Sequence, residues 1–168
     1  MDLLLELSLD QLARSAENAF PGTTARQHNV DQVAVKHIEL LPAEGHLLAK
    51  GIVRGSQGKE YQVAIQFEDV EYNPEDGGVT FVSNGKEYSI TPLQKPTATV
   101  KVACTCLDFR WRFAQHNDAK QALVGSKPGL YAKVPNSKRG PANPTNSPGV
   151  CKHLMDFADG LETSGLFV

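Results

Sequence analysis

The chain of 168 residues is poor in the features that most quickly assign a protein to a class. Its three cysteines cannot all pair with one another, which argues against a disulfide framework and fits a reducing compartment. No apolar run approaches the roughly 20 residues that a helix needs to cross a bilayer, so a soluble protein with no membrane partner is expected. The opening MDLLLELSLDQL is apolar, but acidic residues interrupt it and it has neither a basic leader nor a small-residue cleavage site. It is therefore not expected to be a signal peptide. A glycine-rich phosphate loop is missing, the carboxylates form no recognisable pair motif, and His28, His37, His46 and His116 are scattered. No enzymatic activity and no small-molecule substrate are expected.

What the chain does have is 40% hydrophobic residues, enough for one domain with a real core or for one domain with a small appended module. Its net charge of −2 hides an uneven distribution. Positions 1–100 carry 8 basic and 14 acidic residues, whereas 101–153 carry 9 basic residues against Asp108 and Asp118. The basic stretch coincides with all three cysteines, which marks it as a candidate contact region.

Periodicity divides the chain further. Leu9, Leu12, Ala13, Ala16, Ala19 and Phe20 fall at helical spacing, Ser8 and Gln11 can form a capping box, and Pro21-Gly22 stops the helix. From about residue 30 the period becomes 2. Strands are expected around Val33 to Ile38, His46 to Arg54, Tyr61 to Phe67, Val79 to Val82, Glu87 to Ile90 and Thr97 to Ala103. Turns are expected at Pro42 to Gly45, Gly55 to Lys59, Asn73 to Gly78 and Asn84-Gly85, the last a strong hairpin signal. Leu107 to His116 reads as a short helix, as does the stripe Val150, Leu154, Phe157, Ala158, Leu161. Between them, Gly125 to Gly149 holds five prolines and cannot be regular structure. The fold class predicted is α+β: an N-terminal helix, an antiparallel meander of about six strands, then a module with two short helices and a long Pro-rich loop. The boundary is expected between a helix-and-sheet domain, 1–100, and a metal-binding module, 101–168.

All three cysteines fall into two one-residue-spaced pairs. Cys104 and Cys106 leave the last strand, and after 44 intervening residues Cys151 and His153 open the last helix. Three thiolates and an imidazole suit a tetrahedral zinc ion, and four protein ligands make a closed, structural site rather than a catalytic one. Residues two apart in a helical turn do not face the same way, so Cys151 is expected just before the helix and His153 inside it, with Ser147-Pro148-Gly149 supplying the turn. Closing a 44-residue loop costs roughly 3 kcal/mol beyond a constant. Structural zinc in small domains contributes on the order of 10 to 16 kcal/mol, so one ion can hold the loop's ends together. Lys101, Arg110 and Lys152 are candidates to offset the site's net charge of −1.

The pattern CxC, long spacer, CxH resembles the SWIM zinc-binding module over about 50 residues of this chain. That resemblance implies Cys104, Cys106, Cys151 and His153 as ligands of one Zn2+, and a role in binding protein or nucleic acid without catalysis. The fuller pattern CTCLDFRWRFAQHN followed by SPGVCKHL is similar to poorly characterised proteins of large tailed bacteriophages, with a CxCxDF segment and a PGxCKH segment. It implies a virion component, in tail, baseplate or neck, that docks to neighbouring subunits, residing in the host cytoplasm during assembly and then in the particle.

Candidate partner contacts are Arg110, Trp111, Arg112, Lys138 and Arg139. An acidic neighbouring subunit attracts such a segment as well as phosphate does, so nucleic acid is the alternative partner, with Trp111 able to stack on a base. Against both stands a simpler role, in which Phe109, Trp111 and Phe113 anchor the short helix while Arg110 and Arg112 are solvated or pair with Asp108.

Overall fold

The structure, a computed structural model, describes residues 6–21, 33–55, 57–126 and 142–167. Its elements are α1 (Leu9–Ala19), β1 (Ala34–Ala43), β2 (His46–Arg54), β3 (Glu60–Phe67), β4 (Val79–Ser83), β5 (Lys86–Ile90), β6 (Val100–Cys104), α2 (Leu107–Arg112), α3 (Ala114–Ala119) and α4 (Lys152–Thr163). The fold is α+β, with one helix before six antiparallel strands and the remaining helices after them, as the periodicity predicts.

Local chemistry sets the element ends. The capping box forms: Gln11 N–H donates to Ser8 Oγ at 3.2 Å and Ser8 N–H to Gln11 Oε1 at 2.8 Å, occupying donors that a helix start leaves unpaired. The Asn84-Gly85 turn takes the positive φ values, 50° and 76°, that a two-residue hairpin needs. β1 runs on through Pro42 to Ala43, into the first half of the expected turn. A proline is tolerated there because β1 lies at the sheet edge, where no strand on its outer side requires a second row of donors.

The strands do not form one meander. β1-β2-β3-β6 make a four-stranded sheet, and β4-β5 pair only with each other. The far edge of β3 is taken by β6, in a register running from Val63 opposite Cys104 to Phe67 opposite Val100. A period of two identifies strands but not their partners, and chain neighbours are only usually sheet neighbours. The helix expected over 107–116 is likewise broken at Phe113, so that α2 and α3 follow one another with Phe109, Phe113, Ala114 and Asn117 all buried.

One face of the larger sheet carries the core. Leu47, Ala49 and Val53 of β2, Val63, Ile65 and Phe67 of β3, and Val100, Val102 and Cys104 of β6 alternate inward. Across this face lies α4, burying Leu154, Phe157, Ala158 and Leu161, and α1 adds Leu9, Leu12 and Ala16 to the same cluster. Gly51 makes that packing possible. A Cβ there would lie 2.3 Å from Phe157 Cε2 and 2.6 Å from the His37 carbonyl oxygen. The strand is therefore notched where the Phe157 ring enters. Among the described residues no helix is long and apolar enough to cross a membrane.

Candidate metal centre

The alternation that buries Val100 and Val102 also turns Cys104, the last residue of β6, toward the helices. Thr105 then leaves the strand while staying fastened to β3: its N–H donates to the Gln62 carbonyl, and its Oγ1 accepts from Gln62 N–H, each at 3.0 Å. This lock brings Cys106 to the N-cap of α2. Cys151 occupies the N-cap of α4 and His153 its first turn, the placement that the two-residue spacing predicts. The Cys104, Cys106 and Cys151 sulfurs and a His153 ring nitrogen lie within 4.8 Å of one another, and all four residues are buried. Among the described residues no other group of three or more such donors is found.

Two features of the protein fit a metal ion here. His153 Nδ1 is buried without a hydrogen-bond partner, an unmet demand that a metal would satisfy. The second is the thiols' own electrostatics. Cys106 is pushed far below the ordinary thiol range by hydrogen bonds from Cys104 and Cys151, helped by His153 and the Phe109 N–H. Cys104 is pushed well up because it shares a proton with Cys106, and burial pushes Cys151 up. Three sulfurs this close together and this buried do not all ionise unaided. Only a bound cation makes three buried thiolates tolerable, because desolvation otherwise penalises each added charge.

Backbone groups already favour charge on sulfur. Cys106 N–H points to Cys104 Sγ at 3.5 Å, and Phe109 N–H to Cys106 Sγ at 3.3 Å. Of the cations expected to offset the site, Lys101 pairs with Glu68 at 3.7 Å and Arg110 lies over the Trp111 ring, 5.0 Å from its centroid. The imidazole is held by packing. Tyr61 of β3 tilts against His153 with ring centroids 4.5 Å apart, and a Cβ on Gly55 would sit 3.1 Å from His153 Nε2 and 2.9 Å from the Tyr61 ring.

The approach to Cys151 is fastened by residues that sequence reading did not single out. Asn117 of α3 donates to the Gly149 carbonyl and accepts from Gly149 N–H, both at 2.8 Å. Asn143 donates to the carbonyls of Arg112 and Ser147 and accepts from Ser147 N–H, while Ser15 Oγ donates to the Pro148 carbonyl. Nothing in a lone asparagine marks it for such work in the sequence, because the partners that tie it to another segment are backbone atoms 31 or 32 positions away. Gly149 does lie in the expected turn, but its φ is not positive. It is glycine because a Cβ would meet Phe113 at 2.6 Å and Ala16 at 2.9 Å.

Of the candidate partner contacts, Arg110 and Trp111 are exposed on α2, beside Leu107, also exposed. Arg112 is 4% exposed and bonded through Nε and Nη2 to the Asp108 carboxylate, the pairing that the simpler role allows, with its guanidinium against Phe20 and Phe113. Four residues separate it from Asp108, one helical turn, so the pair closes within α2 and turns the cation inward. Lys138 and Arg139 lie outside the described residues. No family model, no curated protein and no solved structure matches this chain.

Proposed function

We propose that this chain is a non-enzymatic structural protein in which Cys104, Cys106, Cys151 and His153 hold one zinc ion, and that the zinc-clasped region docks to other protein subunits. The observation carrying this reading is the convergence of four buried donors, three sulfurs and one imidazole nitrogen, from two pairs far apart in the chain. That donor set favours zinc among common divalent ions, and its closure leaves no position for a reacting water. Bound there, zinc supplies charge neutralisation and a cross-link from the end of β6 to the start of α4. The resemblance to a SWIM module supports the ligand assignment, and the resemblance of CxCxDF and PGxCKH to phage proteins supports a place in a tailed-phage particle. Protein docking is favoured over nucleic acid because Arg112 is committed to Asp108, which leaves α2 presenting an apolar pair, Leu107 and Trp111, with a single flanking arginine.

Native mass spectrometry tests both parts. The purified chain is expected to retain one zinc per polypeptide, and its native assembly to contain a second protein species. A metal-free chain, or one found only as a free monomer, would sink the corresponding part.

The raised Cys104 and Cys151 thiols give the pH dependence its sign. Both are protonated at neutral pH in the metal-free protein and must lose their protons to bind. Apparent zinc affinity is therefore expected to fall with acidification, by about tenfold per pH unit for each proton displaced. Competition titrations at pH 6 and about pH 7.5 measure this, and an affinity that rises on acidification contradicts it.

A further inference from the structure

We infer that Asn117 is a positioning residue that sets the Cys151-His153 half of the centre before any metal arrives. The inference rests on the zinc reading above and goes beyond its four ligands. Asn117 is fully buried, and its carboxamide makes a donor and an acceptor bond, 2.8 Å each, to the same residue, Gly149. Paired bonds to both backbone groups of a single residue fix its orientation as well as its place, as a strand partner would. Only Val150, itself 2% exposed, separates Gly149 from Cys151. The glycine also packs against Phe113 and Ala16 with no space for a Cβ between them.

Neighbouring fastenings act in the same direction. Ser15 holds Pro148, Asn143 holds Ser147, and beyond the ligands Leu154, Phe157 and Leu161 are fully buried in α4. The other half is set independently by the Thr105-Gln62 lock. Both halves are thus built by protein contacts; Asn143 ties Ser147 to the end of α2, and Asn117 of α3 makes the tie nearest the ligands, at Gly149. A group that orients ligands without touching the metal typically changes metal affinity 10- to 100-fold when removed.

The test compares zinc affinity, by chelator competition, for the wild-type chain, Asn117→Ala and Ile90→Ala, the last a buried change in β5 outside the elements that carry ligands. Asn117→Ala is expected to weaken zinc binding by about 10- to 100-fold and to alter the ligand-field spectrum of the cobalt-substituted protein, whereas Ile90→Ala lowers thermal stability and leaves affinity unchanged. Unchanged affinity in Asn117→Ala, or an equal loss in Ile90→Ala, overturns the positioning role alone. A wild-type chain that takes up neither zinc nor cobalt overturns the zinc reading, and the role with it. Should Asn117→Ala not fold, hydrogen exchange on the metal-free wild type decides: the Gly149 amide is expected to be protected, and exchange at the rate of an open chain overturns the inference.

Discussion

Cys151→Ser is expected to abolish metal retention and to lower the unfolding temperature by on the order of 10 °C. The sulfur it removes is fully buried and belongs to the residue where the loop meets α4. A ligand present at about a thousand times its dissociation constant stabilises the folded state by about 4 kcal/mol. For a chain of this size each kcal/mol corresponds to about 2–4 °C. The substitution isolates the metal's share unusually well. Cys151 makes no side-chain capping bond, and serine is a better N-cap, so the start of α4 is not itself weakened. Thermal unfolding monitored with metal analysis checks the result: Cys151→Ser should match the metal-free wild type. Identical unfolding temperatures for the variant and the zinc-loaded wild type would count against a stabilising role for the ion.

The second large effect is expected far from the ligands. Gly51→Ala should destabilise the fold by about 3 kcal/mol, at the upper end for overpacking, because the new methyl meets two obstacles. One is the Phe157 ring at 2.3 Å and the other the His37 carbonyl oxygen of the neighbouring strand at 2.6 Å. A side chain can turn away, but the backbone of a paired strand cannot do so without disturbing the register between β1 and β2. Phe157→Ala alone should cost about 3–5 kcal/mol through the cavity it leaves. In that background Gly51→Ala should cost less than in the wild type, because the ring has gone, but not zero, because the carbonyl remains. Denaturant unfolding of the four-member cycle reads this coupling. Additive costs would show that the ring and the notch are not in contact.

These two sites differ in how legible they are in the sequence. The ligands were readable because zinc chemistry restricts both the residue types and their spacing, and because all three cysteines fall into the pairs. The Gly51 notch was not readable. A glycine inside an alternating strand signals some close approach, but only the packing of α4 across β2 says that the approaching group is Phe157. The same holds for Asn117, Asn143 and Gly149, which the sequence presents as ordinary helix and loop residues. The chain reading assigned closure of the long loop to the metal. The structure adds to the four candidate donors a set of side-chain bonds to the backbone of residues 147–149.

Sequence by itself determined the α+β class, the helix start at Ser8, the Asn84-Gly85 hairpin, the strand-like segments and the identity of the four donors. Each depends on local periodicity, turn chemistry or ligand type, all expressed within a few residues. Tertiary structure alone decided that β6 leaves β4 and β5 to pair with β3, that the helix after Cys106 breaks at Phe113, and that Arg112, whose pairing with Asp108 the sequence allows, is buried against two aromatic rings. It also decided that buried asparagines hold the approach to Cys151. These outcomes depend on which distant surfaces exclude water together and which backbone groups are left needing partners, and a one-dimensional pattern does not contain that information.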